Sequence, residues 1–542
     1  MVAGANLVIF LAQAPLDPNQ HHDGIMYTAA LATAEGATPN IGAFAQYGPL
    51  SPLLQGWWLR LTSTSLLSLR VFTALLLSFT AVLLFHMLRR FLTPGLSSLL
   101  TLVWALSAPK YFPADLPWSS VISTLLLLLC TWITLHNPEL KQRTDFFLYL
   151  IAGLITGLGI FGRIHLAVTF IAILVFLVLN VRTLNLRNNV LAYFLGGLLG
   201  FGSYIAYAVE NGSLRALWDQ SVVWVYSRYA VPSSDATKAT VVHYLLLITF
   251  PFFTLLLLSY LRLGKRLMSD LKPWRSHTIA LGVSLLLLIA DQVRRIDVPW
   301  KSFRNPPYLA VFISENIFYL MGYVCVSLVV VAALRYLRYP KNLRATSTQD
   351  FNRGLLIVGA VAALTQLYPS WDSMHVWWIT PLLLLAIAPM ISKWQGHQRF
   401  LRNPLSLGAV SLISVLSLQL ILNLATSRED LKSPAVKGMR GTGMVTMQLD
   451  STLLSLSTFG IAKQIAFQCE DGLYAGASAK YMAADQRFVN WGPGGTSSLA
   501  KTTQIFVCHK PNSKLRDAVP AEYREVFNIG DGYGTRNALF ER

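Results

Sequence analysis

His21, His22 and Asp23 set two imidazoles and a carboxylate side by side, just after a short apolar run. Such groups can bind a divalent metal, move a proton as a general base, or line a polar loop. Metal ligation has little support, because adjacent side chains on one helix or strand point different ways. No His-x₃-His or Cys-x₂-Cys spacing accompanies them, so a divalent ion would need help from His165 or His375. Hydrogen bonding is the plainer role for both histidines, and no other cofactor is indicated. Asp23 has a local explanation as the N-cap of a helix formed by "DGIMYTAALATAEG", which stops at Gly36. Asp17 is a rival acid, but "LDPN" is a turn-forming context.

These residues need a scaffold, and composition points to a membrane. Of 542 residues, 54% are hydrophobic and 13% are charged, against about 25% charged in ordinary soluble domains. A charge at mid-bilayer costs about 2.5–3.5 kcal/mol on insertion scales, so the deficit indicates an α-helical polytopic membrane protein. The net charge of +18 does not imply nucleic acid, since most of the excess falls in short loops between apolar runs. Those runs lie near 1–14, 66–92, 96–108, 117–136, 146–161, 165–181, 190–208, 241–261, 277–290, 309–334, 354–368, 376–392 and 405–424, about thirteen in all. Lysine and arginine are enriched in alternate loops, which places the N-terminus in the cytoplasm and the tail outside a cytoplasmic or plasma membrane. The first run ends in Ala12-Gln13-Ala14, resembling a signal-peptidase site, although no basic region precedes it. Cleaved or not, it leaves His21–Asp23 outside.

The chain divides into a transmembrane part, 1–424, and an extracytoplasmic tail, 425–542. Loop 15–65 holds the helix that starts near Asp23, expected to lie on the membrane surface, then "FAQYGPLSPLLQGWW". There Tyr47 sits in a rigid turn with Gly48, Pro49 and Pro52 before a second short helix, whose Trp57 and Trp58 suit the interface. The tail has soluble composition and strand-like runs "KQIAFQC" and "TQIFVC", consistent with a small α/β or mixed domain. A Cys469–Cys508 disulfide would close about 40 residues, worth roughly 4 kcal/mol in the chain-entropy model. Cys130 and Cys325 lie in apolar runs and read as packed residues.

An outside first loop with an acid just past the first span, then a helix and "QYGP", resembles the polyprenyl-phosphate-sugar-dependent glycosyltransferases of the GT-C fold. These include the bacterial relatives of protein mannosyltransferases and of aminoarabinose and arabinofuranosyl transferases. The resemblance extends over essentially the whole chain, with the loop motif moderately specific and the tail not diagnostic. It implies an inverting transfer from a polyprenyl-phosphate sugar to a hydroxyl of a glycan, lipid or protein at the outer face, with Asp23 as base. His21 and His22 would be its neighbours and, with Tyr47, would bind substrate.

Growing charge on the leaving phosphate calls for cations, and arginine's planar fork suits phosphate. Arg163 in "GRIH", beside His165, is one choice; it could instead snorkel at the interface. Arg228 stands near Tyr226 and Tyr229, which could stack on a sugar or isoprenoid or on one another. Lys110, Arg294, Arg295 and Arg304 are further outside cations. Asp372 and His375 in "WDSMHVWW" could bind a substrate or cap a helix. The competing functions are a transporter or lipid flippase, which favours midplane sites on broken helices, and a scaffold. Ionisable residues at the outer ends of spans favour the enzyme.

Overall fold

The computed structural model describes residues 2–108, 116–135, 142–181, 186–223, 347–367, 373–395, 428–441, 443–460, 465–468, 504–509, 522–530 and 536–542, with isolated positions at 329, 519 and within 410–425. Helix α1 (Val2–Gln13) leads into the first loop, which holds α2 (His22–Ala34) and α3 (Leu50–Leu61). The bundle continues with α4 (Leu66–Leu88), α5 (Pro94–Leu106), α6 (Ser119–Thr134), α7 (Gln142–Gly159), α8 (Leu166–Leu179) and α9 (Arg187–Glu210). A short α10 (Leu214–Trp218) runs into a π turn, Asp219–Val223; α11 (Thr348–Ala363) and α12 (Ser373–Gln395) follow.

Among the described residues, α4 and α9 are long and apolar enough to cross a bilayer, while α1, α5, α6 and α8 are apolar but shorter. The expected spans 241–261, 277–290 and 309–334 lie outside the described residues, apart from Val329, as does most of 405–424. Val168, Ile171, Val175 and Val178 form an exposed apolar stripe on α8, and Leu191, Phe194, Leu195 and Leu198 do the same on α9. Helical stripes of this size, left uncovered by the described residues, are what a lipid-facing surface requires.

Glycines set the tightest crossing. A Cβ at Gly153 on α7 would lie 2.0 Å from Tyr193 O, and one at Gly196 on α9 would lie 2.0 Å from Leu150 O. The backbones touch here, the small-xxx-small solution to packing helices where lipid removes the hydrophobic drive. At the other contact, Trp104 of α5 and Trp377 of α12 stack with ring centroids 5.1 Å apart. Each indole N–H donates to the other's backbone carbonyl, at 3.1 and 2.8 Å.

Helix α2 ends as expected at Gly36, whose φ of +100° an L side chain rarely adopts. Its position differs from the expected surface helix, for every residue from Asp23 to Thr33 is buried. Its alanines explain the difference: small side chains let both faces be covered. On one side Gly56 of α3 comes so close that a Cβ would be 3.0 Å from Ala30 O. On another, Tyr27, Ala30 and Leu31 pack with Leu431, Val436, Met439 and Leu453 from the C-terminal part.

That part opens with paired β1 (Glu429–Asp430) and β2 (Arg440–Gly441), then α13 (Gly443–Phe459). Strands β3 (Ile465–Gln468), β4 (Gln504–His509), β5 (Arg524–Gly530) and β6 (Arg536–Glu541) form a sheet ordered β3-β4-β6-β5, with β3 and β4 parallel. Both strand-like runs are therefore strands. Their register pairs Gln468 with Val507, the residues just before the two cysteines; Cys469 itself lies outside the described residues.

Candidate active site

Asp23 lies in the first turn of α2 with no solvent exposure. It is not the N-cap that local sequence suggests; Asn19 serves the helix start instead. The Asn19 side-chain oxygen accepts the His22 N–H at 2.7 Å, while the Asn19 N–H donates to Asp23 Oδ2 at 2.7 Å. This is the reciprocal exchange of a capping box, shifted by one residue. Arg70, also fully buried, grips the carboxylate with its fork: Nε donates to Oδ1 at 3.1 Å and Nη2 donates to Oδ2. The pair compensates the cost of burying either charge alone. Oδ1 carries one hydrogen bond and keeps a second acceptor position.

Arg70 was not singled out by sequence, yet its signal was there. It is a lone arginine five residues inside the α4 run, and an ionisable side chain in such a run marks a functional site by default. Its remaining donors go to the carbonyls of Ala14, Leu16 and Asp17. Asp17 has a left-handed φ of +43°, and its carboxylate accepts from Arg428.

A second cluster is built from three distant stretches. Gly48 has φ +106°, and a Cβ there would lie 2.1 Å from Phe161 O, so only glycine lets the "QYG" turn press on the α7–α8 connection. The Leu50 N–H donates to the same carbonyl at 3.1 Å. This docking sets the Tyr47 ring 4.8 Å from the Arg163 guanidinium carbon, a cation–π contact. Arg163 is almost wholly buried rather than snorkelling. Its Nη2 stands 3.4 Å from His375 Nε2, and since arginine only donates, the histidine nitrogen accepts. The first turn of α12, which carries His375, is fixed by the tryptophan pair and by Thr124 Oγ1 donating to Trp378 O at 3.0 Å. His165 stands at the N-terminus of α8. Burial, helped by Arg163 and His375, pushes its imidazole down to about 3, so it is uncharged at neutral pH.

Trp118 joins the two clusters. Its ring is 5.2 Å from Tyr47 and 5.1 Å from His22, and His22 lies 4.9 Å from His21. Asn19 Oδ1 also accepts from His22 Nδ1, at 3.2 Å. Thus His21, His22, Asp23, Tyr47, Arg163, His165 and His375 gather at one end of the bundle. Tyr226, Arg228, Tyr229, Asp372, Lys110, Arg294, Arg295 and Arg304 lie outside the described residues. Among the described residues no group of three His, Cys, Asp or Glu side chains is arranged to hold a metal. Chemically, the end of the bundle offers a fixed carboxylate and, beside it, one guanidinium among aromatic rings and uncharged imidazole. The second arrangement fits a phosphate.

No family model matches the chain, and no curated protein matches it in sequence. Solved structures do. The oligosaccharyltransferase of Archaeoglobus fulgidus, in complex with zinc and sulfate, aligns with a TM-score of 0.50 at 12% identity, covering 94% of this chain and 68% of that one. ArnT from Cupriavidus metallidurans bound to undecaprenyl phosphate aligns with a TM-score of 0.48 at 14% identity, over 99% of this chain and 97% of that chain. The likeness to the oligosaccharyltransferase is one of fold, and it shows this chain to have the GT-C fold.

Proposed function

We propose that this chain is a membrane glycosyltransferase that moves a sugar from a polyprenyl-phosphate donor to an acceptor hydroxyl at the outer face of the cytoplasmic membrane. The carrying observation is convergence: Asp23, His22, Trp118, Tyr47, Arg163 and His375, drawn from five stretches of sequence, meet at one end of a GT-C bundle.

In this reading the isoprenoid lies along the lipid-facing helices, and its phosphate is held by Arg163. Asp23 takes the acceptor's proton through Oδ1. The acceptor oxygen bonds to the anomeric carbon as the carbon–oxygen bond to phosphate breaks, and the lipid phosphate leaves with the electron pair. The anomeric configuration inverts. Arg70 aims the carboxylate through its paired donors; because Asp23 is fully buried, substrate binding must part the packing over Oδ1.

Mass spectrometry of envelope glycans with and without the gene tests the reading and names the sugar. Deletion should remove one sugar, and complementation by Asp23→Asn should restore about 10²–10⁴-fold less than wild type, the range of a positioned general base. Full complementation by Asp23→Asn would remove Asp23 from the mechanism. A purified protein that moves lipid between leaflets without transferring sugar would replace the enzyme with a transporter.

A further inference from the structure

The C-terminal part does more than cover α2; it is bonded to the backbone that holds Arg70. Segment 428–441 reaches the start of the first loop, where the Arg440 N–H donates to Pro15 O and the Asp17 N–H donates to Arg440 O, each at 2.7 Å. Leu16 and Arg440 thereby form a parallel β-bridge. Arg428, its side chain almost buried, donates from Nη2 and Nε to Asp17 Oδ2 at 2.9 and 3.2 Å. The same short stretch, Ala14 to Asp17, presents three carbonyls to Arg70. A continuous set of bonds thus runs from Arg428 and Arg440, through residues 14–17, to Arg70 and the Asp23 carboxylate.

We propose that segment 428–441 is a strap that must be docked on the Asp17 turn for Arg70 to hold Asp23 in its working geometry, making Arg428 a positioning residue. This rests on the transferase reading above. The physical ground is the left-handed φ of Asp17, +43°. A non-glycine residue stays there only when its surroundings over-determine it, and Arg428 with the β-bridge supplies that constraint. Releasing the strap lets the turn relax, which moves the carbonyls that seat the Arg70 guanidinium. A displacement near 1 Å at a reacting group lowers rate about 10²-fold. Lipid-phosphate binding at Arg163 is held by other elements and should not change.

The test uses the full chain in detergent or nanodiscs. Arg428→Ala should lower kcat by about 10–100-fold with the donor KM unchanged, and Arg428→Lys should recover part of that. Arg215→Ala, on an exposed ion pair, serves as control. Hydrogen exchange across residues 14–23 should quicken in Arg428→Ala and not in Arg215→Ala, a readout that needs no activity. Bridged residues sit about 4.8 Å apart, within disulfide range. The double variant Leu16→Cys, Arg440→Cys carrying Arg428→Ala should therefore regain turnover when oxidised and lose it on reduction, with wild type taken through the same redox steps. Wild-type turnover in Arg428→Ala, a gain in turnover, or unchanged exchange would overturn the strap. A wild-type protein with no transferase activity would instead overturn the functional reading, leaving the exchange experiment to decide whether the strap orders the turn.

Discussion

Replacing Gly48 with alanine adds one methyl group at the point where the "QYG" turn meets the α7–α8 connection. Two costs are built in. Alanine at φ +106° is strained, by about 1–2 kcal/mol on the scale of left-handed conformations. The new Cβ would also lie 2.1 Å from Phe161 O, where real contacts do not fall below 3.0 Å, so the turn must retreat by 3.0 − 2.1 = 0.9 Å. That retreat weakens the Leu50–Phe161 hydrogen bond, a further loss of about 1 kcal/mol. It also lifts Tyr47 from Arg163. At this displacement the expected loss of transfer is about 10²-fold, with a lower thermal midpoint. Gly36→Ala is the matched control. Its φ is +100°, but a Cβ there meets only Arg60 Nη2 at 3.9 Å, so it bears strain without displacement. Both variants are expressed in cells lacking the native gene, and the sugar-bearing product is quantified by mass spectrometry beside thermal unfolding of the purified proteins. If Gly48→Ala makes as much product as Gly36→Ala, docking of the turn does not position the site, and the reasoning fails.

Other outcomes follow from the same geometry. Arg163→Ala should weaken binding of undecaprenyl phosphate about 10–100-fold, the worth of charge-assisted hydrogen bonds of about 1.5–3 kcal/mol, measured by native mass spectrometry; unchanged binding would move the phosphate elsewhere. Gly196→Ala should cost about 1–3 kcal/mol by overpacking the α7–α9 crossing and lower the thermal midpoint. Gly202→Ala, whose Cβ meets nothing within 4 Å, should not. His165 has a folded value near 3, below the unfolded 6.5, so the unfolded chain binds more protons between them. Stability from this group is therefore complete above about pH 6.5 and falls as pH drops toward 3. Thermal midpoints across that range should decline less in His165→Asn than in wild type.

What sequence reading reached, and what it did not, has a physical pattern. Residue types able to carry chemistry at the polar ends of apolar runs can be picked out one by one: Tyr47, Arg163 and His375 by their place in the topology, and Asp23 by that place together with the family resemblance. Their meeting cannot, because it depends on contacts with no local signature. The Tyr47 ring reaches Arg163 because Gly48 tolerates a backbone contact with Phe161, more than a hundred residues on. His375 is presented because two tryptophans, 104 and 377, exchange hydrogen bonds between α5 and α12.

The misreadings share a cause. Asp23 looked like a helix cap because its local sequence allows it, but a buried carboxylate needs a buried cation. Arg70 occupied that role from the next long helix, and Asn19 was left to cap α2. The alanine-rich α2 looked like a surface helix because it lacks large apolar residues. Small residues equally permit close approach on every side, and here α3 and the C-terminal part use it. Helix α2 is thus an interior element of the fold, and the residues that lead into it are gripped by Arg70, Arg428 and Arg440. A carboxylate held in that way is placed by the C-terminal part as much as by the helices. Truncating the chain after α12 should therefore abolish transfer while sparing the Tyr47–Arg163–His375 cluster, whose supports among the described residues lie no later than α12.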